Sequence, residues 1–479
     1  MTNLSGANLN NGTAVGPQGE GMDSPSTFPK YPDYKDSGVD WLGEVPLGWR
    51  VGNLKHALVE LVSGGTPESN NSAYWSDGDG IPWVAISDMT RGSIVDSTAK
   101  SLTEAGLKSK GLKVIPAGGL LYSIYASIGK VAVLGLNAAT NQAILGLMLD
   151  SKVAEQSFIK WWLVSLESWV KTMASSNTQD NLNAEKVRNL PLVFPSLLEQ
   201  TQIARFLDHE TARIDALIEE QQRLIELLKE KRQAVISHAV TKGLNPTVPM
   251  KDSGVEWLGE VPSHWMVSKF GYISSVVRGG SPRPAGDPEL FNGDFSPWVT
   301  VAEITKDDEI YLEETETFLT KKGSDQCRVF SKDTLLLSNS GATLGVPKIL
   351  MINANANDGV VGFENISLDK EYSYFYLSTL TQGLRDRAAG SGQPNLNTDI
   401  VKSIDVPIPP SNEVAEIVVA VRKLRAQFHL LSKEAADGVR LLQERRSALI
   451  SAAVTGKIDV RGWQPPASAP TPELVEEAV

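Results

Sequence analysis

The stretch Lys35–Trp49, KDSGVDWLGEVPLGW, is written into the chain twice, because Lys251–Trp265 reads KDSGVEWLGEVPSHW. Only Asp40/Glu256, Leu47/Ser263 and Gly48/His264 differ between the copies. A match that close marks a duplication, and its spacing is far too long for a solenoid repeat. The chain must therefore fold as two copies of one large unit in tandem. A length of 479 residues accommodates this, since it allows roughly two to four domains.

The two halves stay in register beyond the opening stretch. Ser63-Gly64-Gly65-Thr66-Pro67 faces Arg278-Gly279-Gly280-Ser281-Pro282, and Ile81–Met89 faces Ser296–Ile304. Asn141-Gln142 faces Asn357-Asp358, and Asn181-Leu182-Asn183 faces Asn395-Leu396-Asn397. Short β-branched runs such as Lys130–Leu136 and Val360–Phe363, set between Gly, Asn and Pro turns, predict strands. Phe158–Met173 and its counterpart Glu371–Arg387 have helical spacing, with Trp161, Trp162 and Trp169 as core residues. Each half is thus expected to be a mixed α+β domain, closed by a proline-punctuated strand at Leu190–Pro195 or Asp405–Pro410.

A different kind of sequence follows each domain. Thr211–Val240 holds no Pro or Gly and carries a heptad seam at Ile214, Leu217, Leu224, Leu228 and Val235. The second copy repeats it with Val421, Leu424, Phe428, Leu431, Leu442 and Leu449. Gly243 and Gly456 supply the stops. A seam needs a partner, and the other copy's helix is at hand in the same chain. Since the second domain begins at the far end of the first helix, the second helix must run back along it. The expected architecture is a pair of globular domains joined by an antiparallel coiled coil with a pseudo-two-fold axis. A helix of about 30 residues measures roughly 45 Å, or about 13 base pairs of B-DNA. The expected division is a disordered leader over 1–30, a domain over 31–195, a spacer helix over 196–245, a second domain over 246–410, a second helix over 411–463 and a disordered acidic tail over 464–479.

The paired domains, the GGTP and GGSP turns, the Pro-Trp strands, the Asn-Gln turn and the segment LLEQTQIARFLDHETARIDALIEEQQRLIELLKEKRQAVISHAVT resemble the DNA-specificity subunit of type I restriction–modification enzymes. The resemblance covers about residues 31–463. It implies that each domain is a target recognition domain reading one half of a bipartite, asymmetric site in double-stranded DNA. It implies also that the helices set the spacing and dock two methyltransferase subunits, with two motor–nuclease subunits joining for restriction. On this reading the chain is a non-catalytic member of an adenine-N6 methyltransferase and endonuclease. It holds no cofactor, and S-adenosylmethionine, ATP and Mg belong to the partners.

Composition bears on that reading in both directions. A net charge of −12 counts against a free-standing nucleic-acid binder, because phosphate contacts need concentrated Lys and Arg. An interaction scaffold whose coiled coil joins two domains that bind no DNA is the alternative this charge favours. A self-sufficient modifying enzyme is opposed by the missing motifs. Gly129-Lys130 is followed by valine and Gly456-Lys457 by isoleucine, so neither is a phosphate loop. The five histidines are scattered, and the single Cys327, expected to be an inert core thiol, argues for no metal cluster. With one cysteine, no signal peptide and no apolar run long enough for a membrane span, the expected location is the cytoplasm.

Base readers are expected chiefly where the halves diverge, with Thr66 and Ser281 of the matched diglycine turns, whose backbone could approach a phosphate, as further DNA contacts. In the first domain the candidates are Thr66, Ser69, Tyr74, Arg91, Ser123, Tyr125, Ser127, Lys130 and Gln179. In the second they are Ser281, Arg283, Lys306, Ser338, Asn339, Thr343, Lys348 and Gln393. Asn141-Gln142 has the chemistry for a bidentate contact with adenine, but its counterpart Asn357-Asp358 favours a turn role common to both halves.

Overall fold

The computed structural model describes residues 28–125, 127–175, 182–341, 343–388 and 395–466. The chain divides into two compact units, Met1–Glu220 with Gly438–Val479, and Gln221–Asp437. Each unit takes one domain together with the adjoining parts of both long helices.

The first unit is built on two small sheets. One has five strands in the order Leu58–Ser63, Ile144–Leu149, Leu120–Ser123, Val131–Leu134, Ile94–Val95, antiparallel except for the last pair. The other has four, in the order Ala139–Thr140, Ile81–Val84, Lys100–Leu102, Trp75–Ser76. The second unit repeats the five-stranded sheet as Ser275–Arg278, Val360–Glu364, Leu335–Ser338, Pro347–Leu350, Tyr311–Leu312. Its four-stranded sheet runs Phe318–Leu319, Phe291–Val299, Ala354–Ala356, Val329–Phe330. The α+β class read from the sequence holds for each half.

One expected helix is broken. Phe158–Met173 is two helices, Gln156–Ser165 and Glu167–Ser175, while its counterpart runs unbroken over Lys370–Ala388. Trp161 and Trp162 are buried as expected, and Trp169 packs on that core. Cys327 is half-buried rather than in the core, and burial pushes its thiol upward.

The long helices span Leu197–Lys242 and Ser411–Val454, so the first starts well before Thr211. Its opening turns keep no heptad. They bury Ile203, Ala204, Phe206 and Leu207 against the domain, a face the heptad search does not see. Glycine stops at Gly243 and Gly456, with φ of 79° and 74°, end the helical runs.

Within the first unit the start of the first helix meets the end of the second. Arg446 pairs with Asp215 at 2.7 Å, and Ile214 shares a core with Leu449 and Ile450. Within the second unit, Ile236, Ala239 and Val240 share a core with Val414, Ile417, Val418 and Val421. Both pairings are antiparallel. Of the seam residues, Ile214, Val421 and Leu449 are buried, and Leu217, Leu228, Val235, Leu424, Phe428 and Leu442 are half-buried. Leu224 and Leu431 are 42% and 47% exposed, while Ile218 and Ile225 are half-buried in their stead. A straight helix of 3.6 residues per turn drifts about 20° per heptad away from a 3.5 repeat, so a heptad stripe leaves the contact after a few turns.

The duplicated stretch proves to be a joint. In each copy it is a hairpin, Tyr34–Asp36 with Glu44–Pro46 and Met250–Asp252 with Glu260–Pro262. Trp49 donates its indole N–H to Glu199 in the first turn of its own unit's helix at 3.1 Å, and Trp265 does the same to Glu413 at 2.9 Å. The same tryptophan and its neighbouring proline cover the glycine that ends the other helix. A Cβ on Gly456 would press on Pro46 and Trp49, and one on Gly243 would touch Trp265. A helix start and a helix end are thus fastened by one buried indole. That double duty accounts for the proline and tryptophan kept in both copies, Pro46 with Trp49 and Pro262 with Trp265.

Candidate nucleic-acid interface

Two motifs that stand far apart in sequence meet at one place in each unit. In the first, Ala139–Thr140 runs parallel to Ile81–Val84, and the chain turns where both strands end. Asn141 makes the turn: its N–H donates to Val84 O at 3.0 Å and its Oδ1 accepts from Ala143 N at 3.0 Å. The diglycine turn docks on it, with Gly65 N donating to Thr140 O at 2.8 Å. A Cβ on Gly64 would collide with the Thr140 and Asn141 carbonyls, which is why glycine stands there. Trp83 adds a hydrogen bond from its indole to Gly65 O at 3.0 Å. The Thr66 hydroxyl then donates to the side-chain carbonyl of Gln142, which is exposed.

The second unit repeats the frame. Asn357 N donates to Val299 O at 2.9 Å, Asn357 Oδ1 accepts from Gly359 N at 3.1 Å, and Gly280 N donates to Ala356 O at 2.9 Å. A Cβ on Gly279 would strike the Ala356 and Asn357 carbonyls. Ser281 donates to Asp358 at 2.7 Å, as Thr66 does to Gln142. Here the chemistry departs, because Arg278 donates to Asp358 O at 2.5 Å and Arg283 stands close by, exposed. The Ser281 hydroxyl, and then the backbone and the two arginines, hold the Asp358 carboxyl below the usual range against the opposing effect of burial.

Arg91 and Lys306 are equivalent positions. Each follows by three residues a buried acid that caps backbone: Asp88 accepts from Ala85 N at 3.0 Å, and Glu303 from Glu316 N at 2.9 Å. Arg91 reaches back to Asp88 at 3.5 Å and Lys306 to Glu303 at 3.3 Å. Ser69 lies at a polar cleft of about 670 Å³ whose walls include Asn70, Ser72, Trp75, Thr98 and Lys100. Tyr74 is half-buried beside it, and Lys100 lies over the Trp75 ring at 5.2 Å.

Several candidates face inward. Ser123 and Ser338 are fully buried and close their loops in the same way, onto Ser127 O and Thr343 O. Asn339 is buried and donates to Leu396 O at 3.2 Å. Lys348 is 1% exposed, its amine held by Asp307 and the Glu309 carbonyl. Lys130, by contrast, is exposed and pairs with Glu167 at 3.0 Å. Tyr125 and Thr343 are exposed at the tips of these loops, with Ser127 half-buried. Gln179, Gln393 and Asn181 lie outside the described residues, as do 1–27 and 467–479 of the leader and tail. Asn183 and Asn397 cap short helices, accepting from Lys186 N and Ile400 N at 2.8 Å each. Sequence reasoning assigned Gln142 and Asp358 to a shared turn role and named Arg278 only as part of its motif. The signal was an asparagine that does not vary followed by a residue that does.

Among the described residues, no group of three His, Cys, Asp or Glu side chains is set to hold a metal ion, and no helix is long and apolar enough to cross a membrane.

The model of the type I restriction modification DNA specificity domain matches this chain twice, over residues 46–228 and 262–436, and the chain belongs to that family. It is similar to the type I restriction enzyme MjaIX specificity subunit of Methanocaldococcus jannaschii, 31% identical over 172 residues, or 34% of this chain and 38% of the relative. It is also similar over most of its length to the EcoKI specificity subunit of Escherichia coli, 22% identical across 90% of this chain and 93% of the relative. The fold matches a chain in a solved structure concerned with complex assembly and conformational transition of the type I R-M system. That match has a TM-score of 0.66 and 16% identity, covering 86% of this chain and 98% of the other.

Proposed function

We propose that this chain is the DNA sequence-recognition subunit of a type I restriction–modification assembly, each unit reading one half of a bipartite, asymmetric site. The observation that carries this reading is the twofold occurrence of one backbone frame with different exposed chemistry. Asn141 and Asn357, with Gly64 and Gly279, build the same turn, and the side chains displayed from it are Thr66 with Gln142 or Ser281 with Asp358, Arg278 and Arg283. Two readers of common build and unlike chemistry suit a site whose halves differ in sequence.

The exposed Ser69, Arg91, Tyr125, Arg283, Lys306 and Thr343, with the half-buried Thr66, Tyr74 and Ser281, supply the contacts. Ser123, Ser338, Asn339 and Lys348 shape the loops from within. The long helices set the spacing between half-sites and dock two methyltransferase subunits, and two motor–nuclease subunits complete the restriction complex. Those partners carry the chemistry, with S-adenosylmethionine, ATP and Mg, and their positive charge offsets the −12 of this chain on a polyanion. The whole assembly works in the cytoplasm.

The test is to map methylated adenines across a genome expressing the cognate methyltransferase with and without this chain. The expected result is an asymmetric motif split by a fixed gap and lost on deletion. Methylation that does not change on deletion overturns the reading.

A further inference from the structure

We infer that Gln142 and Asp358 are the paired specificity residues of the two units, Gln142 reading an adenine in one half-site and Asp358 a cytosine in the other. The inference rests on the recognition role proposed above and names side chains for it. The asparagine before each does the architectural work through its Asx turn, so the next residue can vary without cost to the fold. Both varying side chains are exposed, and both are pinned by a hydroxyl from the diglycine turn, Thr66 or Ser281. Pinning matters because an exposed side chain normally loses rotamer freedom on binding, and a preorganised one has already lost it.

The chemistry of each follows from its atoms. A carboxamide both donates and accepts, which matches the N7 acceptor and N6 donor of adenine in the major groove. With Ser281 on Oδ1, Asp358 keeps Oδ2 as a pure acceptor, which suits the N4 amino group of cytosine. A carboxylate beside a duplex is repelled by phosphate, and only the unit that carries it supplies compensating charge. Arg278 and Arg283 flank Asp358, whereas Ser63 and Glu68 stand at their places in the first unit.

The test uses the full chain with its methyltransferase, and reads methylation motifs genome-wide for Gln142→Asp and Asp358→Gln. Gln142→Asp should move one position of one half-site from adenine toward cytosine, and Asp358→Gln should do the reverse in the other. Each shift should be about 10-fold in relative use, the low end of what a base contact discriminates, with the gap unchanged. Wild-type motifs in both variants overturn the inference while leaving the recognition role intact. If either swap abolishes methylation, Gln142→Ala and Asp358→Ala decide, since they keep the turn asparagines. A single relaxed position is expected there. An unaltered motif, or lost methylation with an unaltered melting temperature, overturns the inference. A wild-type chain that directs no bipartite motif overturns the recognition role itself.

Discussion

The two units use the same joint and fill the space behind it differently. In the first, Trp41 of the duplicated hairpin packs on Trp162 at 6.1 Å and Trp169 at 5.4 Å. In the second, Trp257 meets Tyr376, also at 6.1 Å, but Gly383 occupies the place of Trp169. The result is a cavity of about 430 Å³ lined by Trp257, Leu258, Leu380, Gly383, Leu384 and residues of the first long helix. The indole that fastens the helices is kept, while the packing around its neighbour is not. Duplication preserves what must hold two elements at once and lets the rest drift.

The largest effects should come from the joint. Trp49→Ala and Trp265→Ala each remove an almost fully buried indole and should cost about 3–5 kcal/mol, read by denaturant unfolding. Similar losses are expected. A loss in one unit alone would break the symmetry of the joint. Next, Glu199→Ala should be worse than Glu413→Ala. Glu199 accepts from the buried Tyr31 hydroxyl at 2.7 Å as well as from Trp49, whereas Glu413 pairs with Trp265 and an exposed His264. Each buried donor left unsatisfied costs about 1–3 kcal/mol, so unfolding of the two variants should differ by about that much.

The cavity offers a gain instead. At Gly383 an added Cβ meets nothing within 4 Å, so Gly383→Ala should stabilise the second unit by about 1 kcal/mol of helix propensity. Hydrogen exchange resolved by unit would show whether the gain stays local. The smallest effect is electrostatic. Burial pushes Glu371 upward, but the Arg422 guanidinium and Tyr311 hydroxyl outweigh it, so its carboxyl titrates below the usual range. A depressed carboxyl contributes stability above its unfolded pKa and loses it as pH falls through the folded value. Glu371→Gln should therefore flatten the acid side of the second unit's stability curve below about pH 4. The loss at neutral pH should be under about 1 kcal/mol, because Arg422 is well exposed to solvent. Glu167, held low in the first unit by Lys171 and Lys130 against burial, should behave alike under Glu167→Gln.

Much of the fold was legible because duplication acts as an internal alignment. Both domains, both long helices, their glycine stops and the mixed character of each half follow from matching one half with the other. The broken helix at Leu166 was not legible, since it depends on what the domain presses against it. The buried lysine Lys348 reads as a surface charge in sequence, and only Asp307 and the Glu309 carbonyl make its burial tolerable.

By itself the sequence determined that there are two units of one design and that the long helices pair through apolar faces. Periodicity and repetition are local properties of a chain, and they survive without knowledge of contacts. Tertiary structure alone decided that the duplicated hairpin fastens a helix start to a helix end. It decided also that the diglycine turn and the asparagine turn form one frame, displaying Gln142 in one unit and Asp358 in the other. Those are contacts between residues dozens to hundreds of positions apart, and which side chain faces solvent at such a meeting is settled only when the backbone closes around it.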